Sequence, residues 1–361
     1  MDDANLDKVL NDILQKESGC RLEKLLYGYR LSSLSEGKSV NTVAIVEAAV
    51  RYLEEFLTEH GLSPDATEIG ADELRQFSVY LRERPRFAHH RFTKPQIGKL
   101  SGHTVNGYMR ALQSFWAWLG REEFILENPF IRLKIPKAPQ KVIPIFTEQQ
   151  LRQIFDCIDT TSPTGYRDYT IILTLLDTGI RCSELTGLGL SDVNLDSRLL
   201  KVRGKGSKER LVPIGAKVQK AIWKYINRHR PEPAIPRYDH LFLTHEGYPL
   251  TKDRLEAIVE RYGKKAGITG VRVSPHTFRH TMAVTFLRNG GDVFSLQRIL
   301  GHSSLEVLRG YVNLAQSDVS RVHQRNSPAD NLAFAIRRSD RRNRPQSQKL
   351  RRIARENEGL P

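Results

Sequence analysis

The sequence predicts a mainly α-helical protein that carries a small antiparallel β-sheet and is divided into two domains. Apolar residues recur at helical spacing through most of the chain. Short strand-like runs, by contrast, are confined to residues 193–214. A stretch rich in proline and lysine, residues 133–146, has no periodicity and separates two helical parts. The length of 361 residues also favours two domains, because it exceeds the usual size of a single core.

The chain is strongly basic, with a formal net charge of +15 at pH 7 and a pI of ≈ 9.8. This excess predicts a polyanionic partner, and nucleic acid rather than a membrane, because no apolar run has the length that spans a bilayer. A solvated basic surface without a partner is the alternative. The three cysteines are far apart and predict a reducing cytoplasm and no metal cage. The acidic first residues are unlike a secretory signal.

The first helical part begins, in this interpretation, at residue 38. Residues 1–37 are predicted to form an N-terminal extension, since a short amphipathic run there leads into the polar stretch LSSLSEGK. Residues 38–132 are predicted to be a helical domain whose helices start near Ser39, near Asp72, and at Ser101 or Thr104.

Two segments of the chain, one in this domain and one directly after it, carry basic residues outside the predicted helices. Residues 83–99 (ERPRFAHHRFTKPQIGK) are interrupted by prolines and are predicted to be a loop. Residues 133–146 are predicted to be an extended basic linker. Its lysines are candidate DNA contacts: Lys134, Lys137 and Lys141.

A second domain is predicted over residues 147–326. A capping signal at Thr147 opens it, and a buried helix from Tyr169 to Asp177 follows. Three strands are predicted next, at Val193–Leu195, Leu199–Arg203 and Glu209–Ile214. The last two are joined by the turn GKGSK, which contains two glycines and two lysines.

The stretch Ser274–Leu314 brings several polar side chains onto a small helical scaffold. A Ser-Pro cap opens a helix on which His276 and Arg279, three residues apart, leave the same face. A glycine then ends a second short helix and places His302 at a corner. Tyr311 follows on the next short helix.

These residues, with Arg181 and Lys205 from the preceding part of the chain, suit phosphoryl transfer on DNA. Arginine meets a phosphate with two parallel hydrogen bonds. A tyrosine hydroxyl can attack phosphorus if a base or a cationic field assists it. A lysine on a turn can protonate the leaving 5′ oxygen. No carboxylate cage for Mg²⁺ is evident, so the pattern predicts a metal-free reaction through phosphotyrosine. Taken singly, each residue is more often structural, and the GKGSK turn alone would be a solubilising hairpin.

The order of the motifs resembles the tyrosine recombinase and phage integrase family, in particular its Xer-like site-specific recombinases. Thr178–Leu185 reads TGIRCSEL and Gly204–Arg210 reads GKGSKER. His276–His280 reads HTFRH and Leu300–His302 reads LGH. The family's nucleophile position, nine residues after the LGH histidine, is Tyr311.

The resemblance implies a fold and an activity. Residues 38–132 would be the family's helical, SAM-like core-binding domain, and residues 147–326 its α+β catalytic domain. The implied function is a site-specific DNA recombinase of the integrase or transposase type, as found on mobile genetic elements. It would cleave and rejoin duplex DNA through a 3′-phosphotyrosine, without metal, ATP or another cofactor. Two alternatives stay open at this point: a nicking-closing enzyme similar to type IB topoisomerases, and a DNA-binding regulator on the same fold without turnover.

The resemblance also implies roles for single residues. The implied catalytic set consists of two arginines on the scissile phosphate, a lysine as general acid, one histidine in proton transfer, a second on the phosphate, and the nucleophile: Arg181, Arg279, Lys205, His276, His302 and Tyr311. Glu184 would orient the arginine and histidine partners. The turn would supply two further DNA contacts, Lys208 and Arg210.

Partners and location follow from the same resemblance. The expected partner is double-stranded DNA with paired half-sites, bound by a dimer per site and a tetramer in the synapse, in the cytoplasm on the nucleoid of a bacterial or phage host. Residues 327–361 are predicted to hold a short helix capped by Ser327, followed by a basic tail. This helix would dock on a neighbouring protomer or, alternatively, on its own domain.

Overall fold

The computed structural model describes residues 20–86, 96–135, 144–204, 208–302 and 304–315, together with residues 323, 327 and 330. The chain divides into two compact units, Met1–Lys141 and Val142–Pro361. Within these described ranges, no helix is both long enough and apolar enough to cross a membrane.

The first unit is helical. Its elements are the helices α1 (Leu22–Ser35), α2 (Val40–Glu59), α3 (Ala71–Glu83) and α4 (Gly102–Arg121), and a 3₁₀ turn (Pro129–Arg132). The hydroxyls of Ser39 and Ser101 each accept the backbone N–H three residues later, which fixes the starts of α2 and α4. A single apolar cluster, with Trp116 fully buried, holds these helices together.

Helix α1 differs from the expectation of an extension over residues 1–37. Leu22 and Tyr29 are completely buried, and the Tyr29 ring packs edge-on against Phe115 and Trp118. The reason lies in the apolar spacing of this stretch, because Leu22, Leu25, Leu26 and Tyr29 follow the i, i+3, i+4, i+7 pattern of a buried helical face. The prediction of an extension gave more weight to the polar stretch LSSLSEGK that follows than to this stripe.

The structure also corrects the prediction of a loop over residues 83–99, of which residues 87–95 lie outside the described part of the chain. Pro85–Arg86 (β1) pairs with Gln96–Lys99 (β2) in an antiparallel ribbon with an irregular register. The pairing is extended by a hydrogen bond from the Leu100 N–H to the Arg84 carbonyl at 3.2 Å. A proline is tolerated here because such a ribbon leaves edge positions that need no N–H donor.

The second unit combines helices with a small sheet. Its helices are α5 (Glu148–Asp156), α6 (Pro163–Thr178), α7 (Cys182–Thr186), α8 (Ala216–Lys224), α9 (Lys252–Lys265), α10 (Pro275–Arg288), α11 (Val293–Leu300) and α12 (Arg309–Ala315). Shorter helical turns lie at Leu190–Asp192, Tyr225–His229 and Leu305–Leu308. The strands β3 (Val193–Asn194), β4 (Leu199–Arg203) and β5 (Glu209–Pro213) are antiparallel in the order β3-β4-β5. The predicted fold class, mainly α with a small antiparallel sheet, is confirmed.

Two left-handed glycines place the functional segments. Gly179 ends α6 with φ of 61°, and Gly301 ends α11 with φ of 64°. A Cβ on Gly179 would lie 2.9 Å from a methyl carbon of Leu300 and 3.2 Å from the sulfur of Met282. Only glycine therefore lets the end of α6 meet α10 and α11 this closely.

Candidate active site

Arg181 and Glu184 begin the site at the start of α7. The Arg181 backbone N–H donates to Glu184 Oε2 at 2.8 Å, and Arg181 Nη1 donates to Oε1 at 2.9 Å. The Glu184 side chain is only 2% exposed, whereas that of Arg181 is 39% exposed. Glu184 thus holds the arginine from the buried side, while the Arg181 side chain remains partly exposed.

Arg210 approaches the same carboxylate from strand β5. Its Nη1 and Nη2 donate to the two oxygens of Glu184, each at 2.8 Å, and its Nε donates to the Ile299 carbonyl at 2.8 Å. Burial raises the pKa of Glu184, but the hydrogen bonds from Arg210 and Arg181 outweigh it and hold the pKa at about 2. The carboxylate is therefore ionised throughout the neutral range.

Arg279 lies deeper, on α10, and is only 4% exposed. Its Nη1 donates to the Gly179 carbonyl at 2.7 Å, and its Nη2 donates to the Leu300 carbonyl at 2.8 Å. Burial, with nearby Arg181, lowers the pKa of Arg279 to about 10, so the guanidinium is still protonated at neutral pH.

His302 follows the left-handed glycine after α11. Its Nε2 lies 2.6 Å from Arg279 Nη2, and because the guanidinium is the donor, Nε2 is the acceptor. The proton of the neutral ring is then on Nδ1, which is buried without a hydrogen-bond partner in the part of the chain that the structure describes. Burial, and next the charge of Arg279, lower the pKa of His302 to about 4.

Tyr311 is buried on α12, with 4% of its surface exposed. Its hydroxyl lies 2.7 Å from Nδ1 of His280, one turn after His276 on α10. Burial raises the pKa of Tyr311, against the opposing effect of Arg279 and Arg181. Burial, followed by His276 and Arg279, lowers the pKa of His280.

His276 occupies the outer end of the same helix face. Its ring centroid is 6.5 Å from that of His280, and both rings line an open pocket of about 520 Å³. Burial and the charge of Arg279 lower the pKa of His276, which favours the neutral ring.

The structure therefore brings together most of the residues that the sequence singled out. Arg181, Glu184, Arg279 and His302 are linked by direct hydrogen bonds or by a shared segment of backbone. Lys205 lies outside the described residues, although Gly204 beside it is close enough that a Cβ there would lie 3.6 Å from Glu184 Oε1.

The candidate DNA contacts divide into three groups. Lys134 and Lys208 are exposed. Lys137 and Lys141 lie outside the described residues. Arg210 differs from the prediction of an exposed DNA contact. Its side chain is only 15% exposed, and its guanidinium is bonded to Glu184 and to the Ile299 carbonyl. The reason is the alternation of strand β5, which turns this side chain inward.

His280 was missed as a site residue. It was visible in the sequence as the second histidine of HTFRH, four residues after His276 and so on the same helix face. Nothing in the sequence alone indicated that Tyr311, 31 positions later, would return to this face.

Two guanidiniums that converge on one corner, neutral histidines and a buried tyrosine can bind a phosphodiester and exchange its ester bond. This fold and this site define a DNA strand-transferring enzyme of the tyrosine recombinase class. Residues 144–318 match the Phage integrase family. Together with tyrosine recombinase relatives that are at least 30% identical over most of their length, this match shows that the chain belongs to this family.

Curated relatives agree with this membership. The chain is 30% identical to the tyrosine recombinase XerD of Staphylococcus haemolyticus over 288 residues, which cover 77% of this chain and 97% of the relative. It is 33% identical to the tyrosine recombinase XerC 2 of Ralstonia nicotianae, over 77% of this chain and 86% of the relative. The predicted resemblance and the predicted recombinase class are confirmed, and the topoisomerase-like and non-catalytic alternatives are not favoured.

Solved structures share the fold. A XerH recombinase bound to palindromic difH DNA superposes with a TM-score of 0.63 at 18% identity, covering 91% of this chain and 90% of XerH. The Tn1549 transposon integrase, in complex with a circular intermediate DNA, gives a TM-score of 0.63 at 22% identity and covers 84% of this chain and 99% of the integrase.

Proposed function

We propose that this enzyme cleaves and rejoins duplex DNA at specific sites through a 3′-phosphotyrosine on Tyr311. The observation that supports it most directly is the hydrogen-bonded set Arg181–Glu184 and Arg279–His302, with Tyr311 on the adjoining helix. In this reaction Tyr311 Oη bonds to phosphorus while the bond from phosphorus to the 5′ oxygen breaks. A 5′ hydroxyl of another strand then reverses the step, so the ester bond energy is conserved.

The arginines bind the scissile phosphate in this proposal. The Arg181 side chain is partly exposed, and Arg279 is directed by two backbone carbonyls. Such preorganised charge stabilises the charge that develops on the non-bridging oxygens. The unpartnered Nδ1–H of His302, in the described part of the chain, supports a further contact from His302 to the same phosphate.

Lys205 is the proposed general acid for the leaving 5′ oxygen. The support is local: the Gly204 N–H donates to the Lys208 carbonyl at 2.8 Å, which closes the base of the hairpin beside Glu184. His276 is retained from the sequence prediction as a proton-transfer candidate, since its neutral ring lines the pocket beside α10.

Double-stranded DNA with paired half-sites is the proposed partner. XerH was solved on palindromic difH DNA, and a lambda integrase was solved as a dimer on a core site. A palindromic site implies two copies of the protein per site, and strand exchange between two sites implies four. Exposed Lys134 and Lys208 are proposed to contact the backbone phosphates, with Lys137 and Lys141. We place this activity in the cytoplasm, on the nucleoid.

Covalent capture tests the proposal. The DNA is the duplex that the full-length protein selects from a randomised library, nicked next to the cleavage position so that cleavage is irreversible. Tyr311→Phe should bind this duplex normally and yield no denaturant-stable complex. Tyr248→Phe, at a tyrosine that is 51% exposed, is the matched control and should be captured like the wild type. A covalent complex formed by Tyr311→Phe would contradict the assignment.

A further inference from the structure

The phenolic hydroxyl of Tyr311 has a specific partner that the proposed function does not use. His280 Nδ1 lies 2.7 Å from Tyr311 Oη, and the two ring centroids are 5.5 Å apart. Tyr311 otherwise packs in a buried apolar cluster with Met282, Leu300 and Leu308, and the charges of Arg279 and Arg181 also act on its hydroxyl. The buried Tyr311 hydroxyl therefore makes this hydrogen bond in surroundings of low dielectric, which strengthen it.

The direction of this hydrogen bond follows from the protonation states. Burial raises the pKa of Tyr311, so the phenol keeps its proton and is the donor. Burial, His276 and Arg279 lower the pKa of His280, so the imidazole is neutral and its Nδ1 can be the acceptor. The remaining ring proton is then on Nε2.

His280 also reaches solvent on the side away from the tyrosine cluster. It lines the open pocket of about 520 Å³ beside α9 and α10. The titratable and charged groups that face this pocket, and thus the outer side of His280, are His276, Glu256, Glu260, Lys264 and Arg272. A proton accepted by His280 therefore has a route to bulk water through this pocket.

We propose that His280 is the general base that takes the proton of Tyr311 during DNA cleavage. This inference rests on the proposed function, in which Tyr311 is the nucleophile. Tyr311 Oη bonds to phosphorus, its proton moves to His280 Nδ1, and the bond from phosphorus to the 5′ oxygen breaks. The 5′ oxygen takes a proton from the separate acid, Lys205. In the rejoining step the imidazolium returns its proton to the departing phenolate.

This assignment differs from the sequence expectation that His276 performs the proton transfer. The distance between the two imidazole centroids is 6.5 Å, and the hydrogen bond to the tyrosine comes from His280. His276 would then take the proton from His280 in a later step, or act only on the pKa of His280, which it lowers.

The test compares His280→Asn, His280→Ala and His276→Asn in the full-length protein. Asparagine can still accept a hydrogen bond near the Nδ1 position, but it cannot take up a proton. The substrate is the selected nicked duplex with a 5′-bridging phosphorothiolate, because sulfur leaves without a proton and the rate then reports on the base alone. The exposed His245→Asn is the matched control, and thermal unfolding checks that each variant folds.

The wild type should reach a rate plateau at neutral pH, where its base is already neutral. His280→Asn should cleave about 10²–10⁴-fold more slowly, the usual contribution of a general base. Its rate should also keep rising with pH through the neutral range, because only the rare phenolate can then attack.

Three results would overturn the proposal. His280→Asn could match the wild type in rate, or it could be slow and keep the wild-type plateau, in which case His280 only positions the tyrosine. Alternatively, His276→Asn, and not His280→Asn, could abolish the plateau. A wild type that forms no covalent complex would instead refute the proposed function itself, so the two failures are distinguishable.

Discussion

Glu184 and Arg210 form a two-point ion pair in which both carboxylate oxygens accept hydrogen bonds at 2.8 Å. The pair connects strand β5 to helix α7, and a third bond connects Arg210 to the Ile299 carbonyl, three residues before His302. Arg210 therefore links the lysine-bearing hairpin, the first arginine and the corner histidine. We expect Arg210 to affect the phosphate site through these residues.

Replacing Arg210 by methionine should lower both stability and cleavage. The Glu184 carboxylate would be left buried with only Arg181 as a partner, and breaking a buried pair costs about 3–5 kcal/mol. Urea unfolding measures this loss. Arg152→Met is the matched control: its pair with Glu148 is 74% and 80% exposed, so its loss should change stability little. An Arg210→Met protein as stable as Arg152→Met would show that the buried pair is not needed.

Glu184 should also govern part of the acid sensitivity of the fold. Its folded pKa of about 2 is below the ordinary value of 4.5, so its contribution is complete above pH 4.5 and is lost as the pH falls towards 2. The stabilisation involved is on the order of 3 kcal/mol. Glu184→Gln should flatten the free energy of unfolding over this interval, whereas exposed Glu306→Gln should not. Parallel curves for Glu184→Gln and the wild type would exclude this role.

Lys205→Ala should slow cleavage of an ordinary phosphodiester by about 10²–10⁴-fold, because general acids contribute this much. A duplex with a 5′-bridging phosphorothiolate should restore most of the rate, since its leaving sulfur needs no proton. Single-turnover cleavage measures both rates. Lys208→Ala is the control and should show no such rescue. Equal defects of Lys205→Ala on both substrates would transfer the acid role to another group.

Removal of residues 326–361 should weaken cooperative binding. The Ser327 hydroxyl accepts the Asp330 N–H at 3.4 Å, as expected at a helix start. The predicted helix has a narrow apolar stripe, Leu332, Ala335 and Ile336, which lies outside the described residues. A short helix with such a stripe must pack to be stable. We expect the truncated protein to bind one half-site normally and to lose cooperative filling of the second in mobility-shift titrations. Unchanged cooperativity would place the helix on its own domain.

Local signals predicted much of this architecture. The capping residues Ser101, Thr147 and Ser274 each accept the expected N–H, because a cap is decided within four residues. The motif order likewise predicted that Arg279 and His302 would meet. Their proximity depends on the left-handed turns at Gly179 and Gly301, and both glycines are visible in the sequence.

The errors concern which way a side chain turns. Arg210 follows two lysines in a hairpin and looks like a surface charge, yet strand alternation directs it to Glu184. His280 was overlooked because its partner is 31 positions away. The sequence predicts an extension where helix α1 lies, because polar residues follow its buried stripe. Local patterns in the sequence account for the burial of α1 and Arg210, whereas the pairing of His280 with Tyr311 depends on long-range packing that local patterns do not reveal.

The bonds that hold Arg279 go to two backbone carbonyls and a neutral imidazole. These acceptors orient the guanidinium but bring no net charge, so its positive charge stays inside the fold. A small tetrahedral anion that binds beside Arg279 would compensate this buried charge when no DNA is bound. Sulfate or phosphate in the buffer should therefore raise the melting temperature of the enzyme and, at the same concentrations, inhibit it. The choice of purification buffer would then decide between a robust preparation and an active one.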